Sequence, residues 1–114
     1  MGKIGDQFEE LVGIVSKLRS PEGCPWDREQ TNHSLLPYFI EEVYEVIESI
    51  DENNLDLLKE ELGDVLLHLV FQASIAEDNE NFQILDSLEN INKKLVRRHP
   101  HVFGDANADV AFKA

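Results

Sequence analysis

The run Leu62-Gly63-Asp64-Val65-Leu66-Leu67-His68-Leu69-Val70-Phe71 constrains this chain more than any other stretch. At about 100° per residue its apolar side chains point to every side of a helix, and a helix apolar all round must be covered all round. Only Asp64 and His68 interrupt it, one turn apart on one face. A lone carboxylate in such surroundings is costly unless it is paired with a cation or binds a metal. The chain is therefore expected to fold as packed helices and to give that aspartate a partner.

The remaining sequence divides into helical segments around this run. Residues of about 4–19 place Phe8, Leu11, Val12, Val15 and Leu18 at helical spacing and end at Ser20-Pro21-Glu22-Gly23. Residues 21–33 read as a loop. A second helix is predicted over about 34–51, with Leu36, Ile40, Val43, Ile47 and Ile50 as its inward stripe and Pro37 in its first turn, where a missing N–H does little harm. Asn53-Asn54 breaks the pattern, and a third helix is predicted over about 55–78. A fourth, over about 81–98, carries Ile84, Leu88, Ile91 and Leu95 inward and stops before Pro100. Nothing alternates as a strand would. Short connections predict antiparallel neighbours, so the expected fold is a single all-α domain over 1–114, an antiparallel four-helix arrangement. Residues of about 99–114 read as a tail or a fragment end. Leu35, Phe39 and Val46 lie off the inward stripe and predict burial against a second chain, making at least a homodimer.

Composition removes several classes. No apolar run approaches the roughly 20 residues that span a bilayer, so no membrane partner is expected. The start, MGKIGDQFEELV, lacks the pattern of a secretory signal. Cys24 is the single cysteine, which excludes an internal disulfide and fits a reducing compartment, the cytoplasm. Ten basic residues against 23 acidic give a formal net charge of −13, which disfavours long nucleic acids. A small phosphate-bearing ligand remains compatible if divalent cations accompany it.

Two carboxylate motifs carry the chemistry. Glu41-Glu42-Val43-Tyr44-Glu45 lies in the second helix and Glu61-Leu62-Gly63-Asp64 in the third. Spacings of three bring Glu42 towards Glu45 and Glu61 towards Asp64. Four converging carboxylates form an all-oxygen donor set, which suits Mg²⁺ or Mn²⁺ and not zinc or copper. Taken singly, Glu41, Glu48 and Glu52 read as solvated surface. His68 is either a hydrogen-bonded core histidine or a residue that orients a ligand. The fourth helix ends Asn92-Lys93-Lys94-Leu95-Val96-Arg97-Arg98. Lys94 and Arg98 share a face, as do Lys93 and Arg97. These cations either complement the helix dipole or clamp phosphate.

The run Gly23-Cys24-Pro25-Trp26-Asp27 with Gln30-Thr31, the EExxE at 41–45, the ExxD at 61–64 and RRHPHVFGD at 97–105 together resemble the MazG nucleotide pyrophosphohydrolases over roughly residues 8–105. The resemblance implies an oligomeric α-helical protein that uses Mg²⁺ to hydrolyse nucleoside triphosphates to a monophosphate and pyrophosphate. It implies Glu42, Glu45, Glu61 and Asp64 as metal ligands and Glu41 as a further motif glutamate that helps orient water. Asn92, Lys94 and Arg98, with Arg97 beside them, match the phosphate side. Trp26 lies in a matching loop, where it either stacks on a base or packs in the core. Family members usually continue past HPHVFGD into a helical segment with a tryptophan and a lysine, whereas here the chain runs DANADVAFKA. The implied alternatives are a truncated copy or the first copy of a two-copy protein, and with them a copy that binds nucleotide or holds oligomers together with weak turnover. An oxidative di-iron bundle is disfavoured, because no histidine has a glutamate three residues before it. Base and sugar preference are not legible.

Overall fold

The computed structural model describes residues 2–104. Its helices are α1 (Lys3–Leu18), α2 (Pro25–Glu29), α3 (Leu36–Asp51), α4 (Leu55–Asp78), α5 (Ile84–Arg98) and α6 (Pro100–Phe103). There is no strand among the described residues, so the all-α expectation holds. No described helix is long and apolar enough to cross a membrane. The contacts divide the chain into two compact units, one ending at Asn81 and one beginning at Phe82. Two one-turn helices lie where a loop and a tail were expected. Both α2 and α6 begin at a proline whose fixed φ starts a turn. Five and four residues are too few for a periodicity to declare itself.

In the first unit α3 packs on α4 and α1 packs on α4. The α3–α4 connection is short, three residues from Glu52 to Asn54. Asn53 takes the left-handed conformation at φ 55°. Its N–H donates to the Ile50 carbonyl at 3.1 Å, and the Asn54 N–H to the Ser49 carbonyl at 2.9 Å, a Schellman closure of α3. The Asn54 side chain then accepts from the Leu57 N–H at 3.1 Å and caps α4. Two asparagines thus end one helix and start the next. The same closure ends α4, with Glu80 at φ 60°.

The core is Val15, Leu35, Val70, Phe71 and Ile75, with Phe8, Leu11, Val12 and Leu67 packed against it. The inward face of α3 differs from the expected one. Leu35 is 2% exposed and Phe39 and Val46 are half-buried, whereas Ile40 is 57% exposed and Leu36, Ile47 and Ile50 also face outward. Leu35 is thus covered within its own chain, and Phe39 and Val46 are covered there in part. The helix has two apolar stripes, and the one that turns inward includes Glu42 and the buried Ser49, so it reads as the more polar. Periodicity cannot choose between them. Likewise α4 is covered on one side only: Val70, Phe71, Ile75 and Ala76 are buried, but Leu62, Leu66 and Leu69 are exposed. In the second unit Leu88, Ile91 and Leu95 of α5 are exposed as well, against the inward reading.

Residues 19–34 are held tightly to this frame. Gly23 passes so close to the end of α1 that an added Cβ would lie 2.2 Å from the Lys17 carbonyl oxygen. The Cys24 N–H donates to the Leu18 carbonyl at 2.7 Å. The Arg19 side chain, almost wholly buried, pairs with Asp78, lies 5.8 Å above the Phe71 ring and donates from Nε to the Asp27 carbonyl. Asn32 Nδ2 donates to the Gln72 carbonyl and Gln72 Nε2 to the Asn32 carbonyl, each at 3.1 Å. Gly23→Ala forces the loop off α1 and should cost about 1–3 kcal/mol, the range for overpacking a tight site. Urea unfolding checks this, and an unchanged midpoint would mean that the last turn of α1 yields freely.

Candidate active site

The α3–α4 seam carries its charge in the middle. Glu42 and Glu45 lie three residues apart on α3, and Glu61 comes from α4 running alongside. One carboxylate oxygen from each lies within 4.8 Å of the other two. Glu61 is only 6% exposed, and Glu42 and Glu45 are half-buried. Glu42 Oε2 and Glu61 Oε2 are buried without a hydrogen-bond partner among the described residues. Asp64 lies outside this triad, one turn beyond Glu61, half-buried and near enough for its charge to act on Glu42.

Such crowding must show in the acidities. The Glu61 carboxyl is pushed up to about 8, first by its hydrogen bond with Glu45, then by burial, then by its contact with Glu42. Burial raises Glu42, and the charges of Glu45 and Asp64 raise it further, while its hydrogen bond with Glu61 works the other way. At neutral pH the cluster therefore keeps a proton that an isolated glutamate would lose. A cation at the same place removes the need for that proton. The donor set, three carboxylates with two orphaned oxygens, fits a hard divalent ion with oxygen ligands.

Comparison with known proteins bears on the same residues. Residues 30–103 match the MazG nucleotide pyrophosphohydrolase domain. This chain belongs to the MazG family. It is 62% identical over 106 residues to the nucleoside triphosphate pyrophosphohydrolase/pyrophosphatase MazG of Thermotoga maritima, covering 93% of this chain and 42% of that protein. It is 46% identical over 105 residues to the nucleoside triphosphate pyrophosphohydrolase of Escherichia coli K12, covering 91% of this chain and 40% of that one. The uncharacterized protein YabN of Bacillus subtilis is 52% identical over 99 residues, which are 87% of this chain and 20% of YabN. The chain thus spans about two-fifths or less of the length of these relatives.

The remaining residues of the MazG motifs are placed as follows. Glu41 is exposed, beside the triad in sequence and outside it in space. His68 is half-buried, its ring centroid 5.8 Å from that of Phe39. Burial lowers its pKa, and the Asp64 charge opposes that shift. Asn92, Lys94, Arg97 and Arg98 all lie on α5 in the second unit, Lys94 half-buried and the others exposed. Trp26 is 50% exposed, which removes the core reading left open by the sequence. Its α2 mount explains the GCPWD run: Gly23 allows the close approach, Cys24 binds the end of α1, Pro25 starts the turn, and the Asp27 carbonyl meets Arg19. Sequence reasoning missed the neighbour of Trp26, the Tyr38 ring. The available signal was its spacing, four residues before Glu42.

The Glu61 shift sets a pH dependence. With a folded pKa of about 8 against an ordinary 4.5, the folded chain binds more protons than the unfolded one between these values, so stability should fall as pH rises across that window. Melting in the presence of a chelator from pH 5 to 9 should show the decline. Glu61→Gln should flatten it, and a wild-type curve that rises over this range would contradict the assignment.

Proposed function

We propose that this chain acts, as one MazG domain over residues 1–114, as a Mg²⁺-dependent nucleoside triphosphate pyrophosphohydrolase. The carrying observation is the carboxylate triad, in which Glu42 Oε2 and Glu61 Oε2 are buried with no hydrogen-bond partner among the described residues. The printed names of the Thermotoga and Escherichia relatives support the reaction class. Glu42, Glu45, Glu61 and Asp64 are the oxygen donors that hold the ion, Mg²⁺ first and Mn²⁺ as a substitute. When bound, the ion supplies positive charge against the triphosphate and acidifies water.

In this reading water attacks the α-phosphorus, the bond from that phosphorus to the bridging oxygen breaks, and pyrophosphate leaves the nucleoside monophosphate. Glu41 orients the attacking water by accepting its hydrogen bond. Asn92, Lys94, Arg97 and Arg98 bind phosphate oxygens, where the arginine fork and the lysine charge meet developing negative charge. Trp26 meets the base. The exposed stripe Leu36, Ile40, Ile47 and Ile50 and the exposed leucines of α4 support a homodimer or larger assembly, because apolar faces of this kind tend to be covered. A reducing cytoplasm suits the single free thiol.

The purified chain, given canonical and modified nucleoside triphosphates, should release pyrophosphate and a matching monophosphate only when Mg²⁺ is present. Alanine at Glu42, Glu45, Glu61 or Asp64 should abolish turnover, and full activity in any of the four would remove that residue from the ligand set. Lys94→Ala and Arg98→Ala should each lower kcat/KM by about 10- to 100-fold while sparing Mg²⁺ binding by calorimetry. Binding of Mg²⁺ and nucleotide with no pyrophosphate release from any substrate would make the chain a binding copy instead.

A further inference from the structure

Trp26 and Tyr38 stand together on the surface of the first unit. Their ring centroids are 5.9 Å apart and their planes meet at 80°, an edge-to-face pair. Aromatic pairs of this kind usually contribute to a core, yet here Trp26 is 50% and Tyr38 48% exposed. Both rings sit on backbone that cannot easily move. Trp26 rides on α2, fixed by the Gly23 approach and by Gln30 Nε2 donating to its carbonyl at 3.0 Å. Tyr38 lies in the first turn of α3, and Glu42 of the triad is four residues on. Residues at that spacing are neighbours on one helix face, about 5–6 Å apart at Cβ. A right-angled aromatic corner therefore stands one helical turn from the carboxylates.

An exposed tryptophan alone is a poor platform, because its two side-chain torsions leave the indole plane free to swing. A second ring set edge-on against it fixes that plane. We propose that Tyr38 is a positioning residue for base recognition, holding the Trp26 indole in the orientation that lets the base of a nucleotide stack on it. This rests on the reading of the triad as the site that handles the triphosphate. The ring of Tyr38, not its hydroxyl, does the holding, since the contact is between rings. Stacking is tolerant of base identity, so the corner selects for a planar heterocycle before it selects which one.

Trp26 is the single tryptophan of the chain, so its emission reports on this corner alone. The probes are a nucleoside triphosphate with a non-hydrolysable α,β bridge and inorganic tripolyphosphate, both with Mg²⁺, alongside turnover of the ordinary triphosphate. The analogue should quench Trp26 and tripolyphosphate should not. Tyr38→Ala should raise both KM and the analogue Kd about tenfold, a typical loss for one stacked base, with kcat and tripolyphosphate inhibition kept. Tyr38→Phe should behave as wild type. An unchanged KM in Tyr38→Ala overturns the proposal, and so does an equal loss of tripolyphosphate affinity, which would mean general damage. Pyrophosphate release with a silent Trp26, or blue-shifted emission in the free protein that nucleotide leaves unaltered, overturns it too. Quenching by the analogue without any turnover would instead sink the hydrolase reading and leave the aromatic corner standing. Neither quenching nor turnover would remove both.

Discussion

Repulsion among Glu42, Glu45 and Glu61 is the constraint around which the first unit is arranged. Three carboxyl groups, each with an oxygen within 4.8 Å of the other two and one of them buried, would push apart the helices that carry them if all three were ionised. Apolar contact on either side of the charge opposes that push. On α3 the inward seam runs Leu35, Phe39, Glu42, Val46 and Ser49, and on α4 Val70, Phe71 and Ile75 complete a core with Val15. The Glu52-Asn53-Asn54 connection closes the other end in three residues. The helices are thus fastened at the core and at the turn, with the acids between. The hydrogen bond with Glu45, burial and the contact with Glu42 keep a proton on Glu61, which relieves the crowding.

The same arrangement explains what could be read in advance and what could not. The two glutamate motifs bring Glu42, Glu45 and Glu61 together as their helical placement leads one to expect, because a spacing of three on a helix is nearly a contact prediction, whereas Asp64 lies outside the triad. The span of α4 was legible from 55 to 78, bounded by an asparagine cap and a loss of periodicity. The face of α3 was not. Its inward stripe contains Glu42 and Ser49 for reasons that belong to the site, and a hydrophobic pattern discounts such positions. The one-turn helix α2 was invisible for a different reason. Its shape depends on Gly23 meeting the end of α1 and on Arg19 reaching across to Asp78, both contacts made through space.

Arg19 ties α2 to α4 more than its sequence position suggests. Its nearly buried guanidinium touches α4 through Ser74, Phe71 and Asp78, and its Nε reaches the carbonyl of Asp27. The helix that carries Trp26 is therefore anchored to the helix that carries Glu61. A shift of α4 that altered the carboxylates would move the aromatic mount with it. Asn32 and Gln72 add a second tie between the same pair of segments.

On the proposed reading, charge and aromatic surface divide the work of recognition. A chain with a formal net charge of −13 repels polyphosphate at a distance, and the triad does so most strongly at contact. In the proposed function anions gain access when cations come with them, so charge would filter for short, metal-loaded phosphates and against long nucleic acids. Charge alone cannot tell a nucleotide from inorganic polyphosphate. That distinction needs a surface that is indifferent to charge and responsive to a flat ring. The half-exposed corner of Trp26 and Tyr38, a turn away from Glu42 on a backbone pinned by Gly23, is the feature of this unit with those properties.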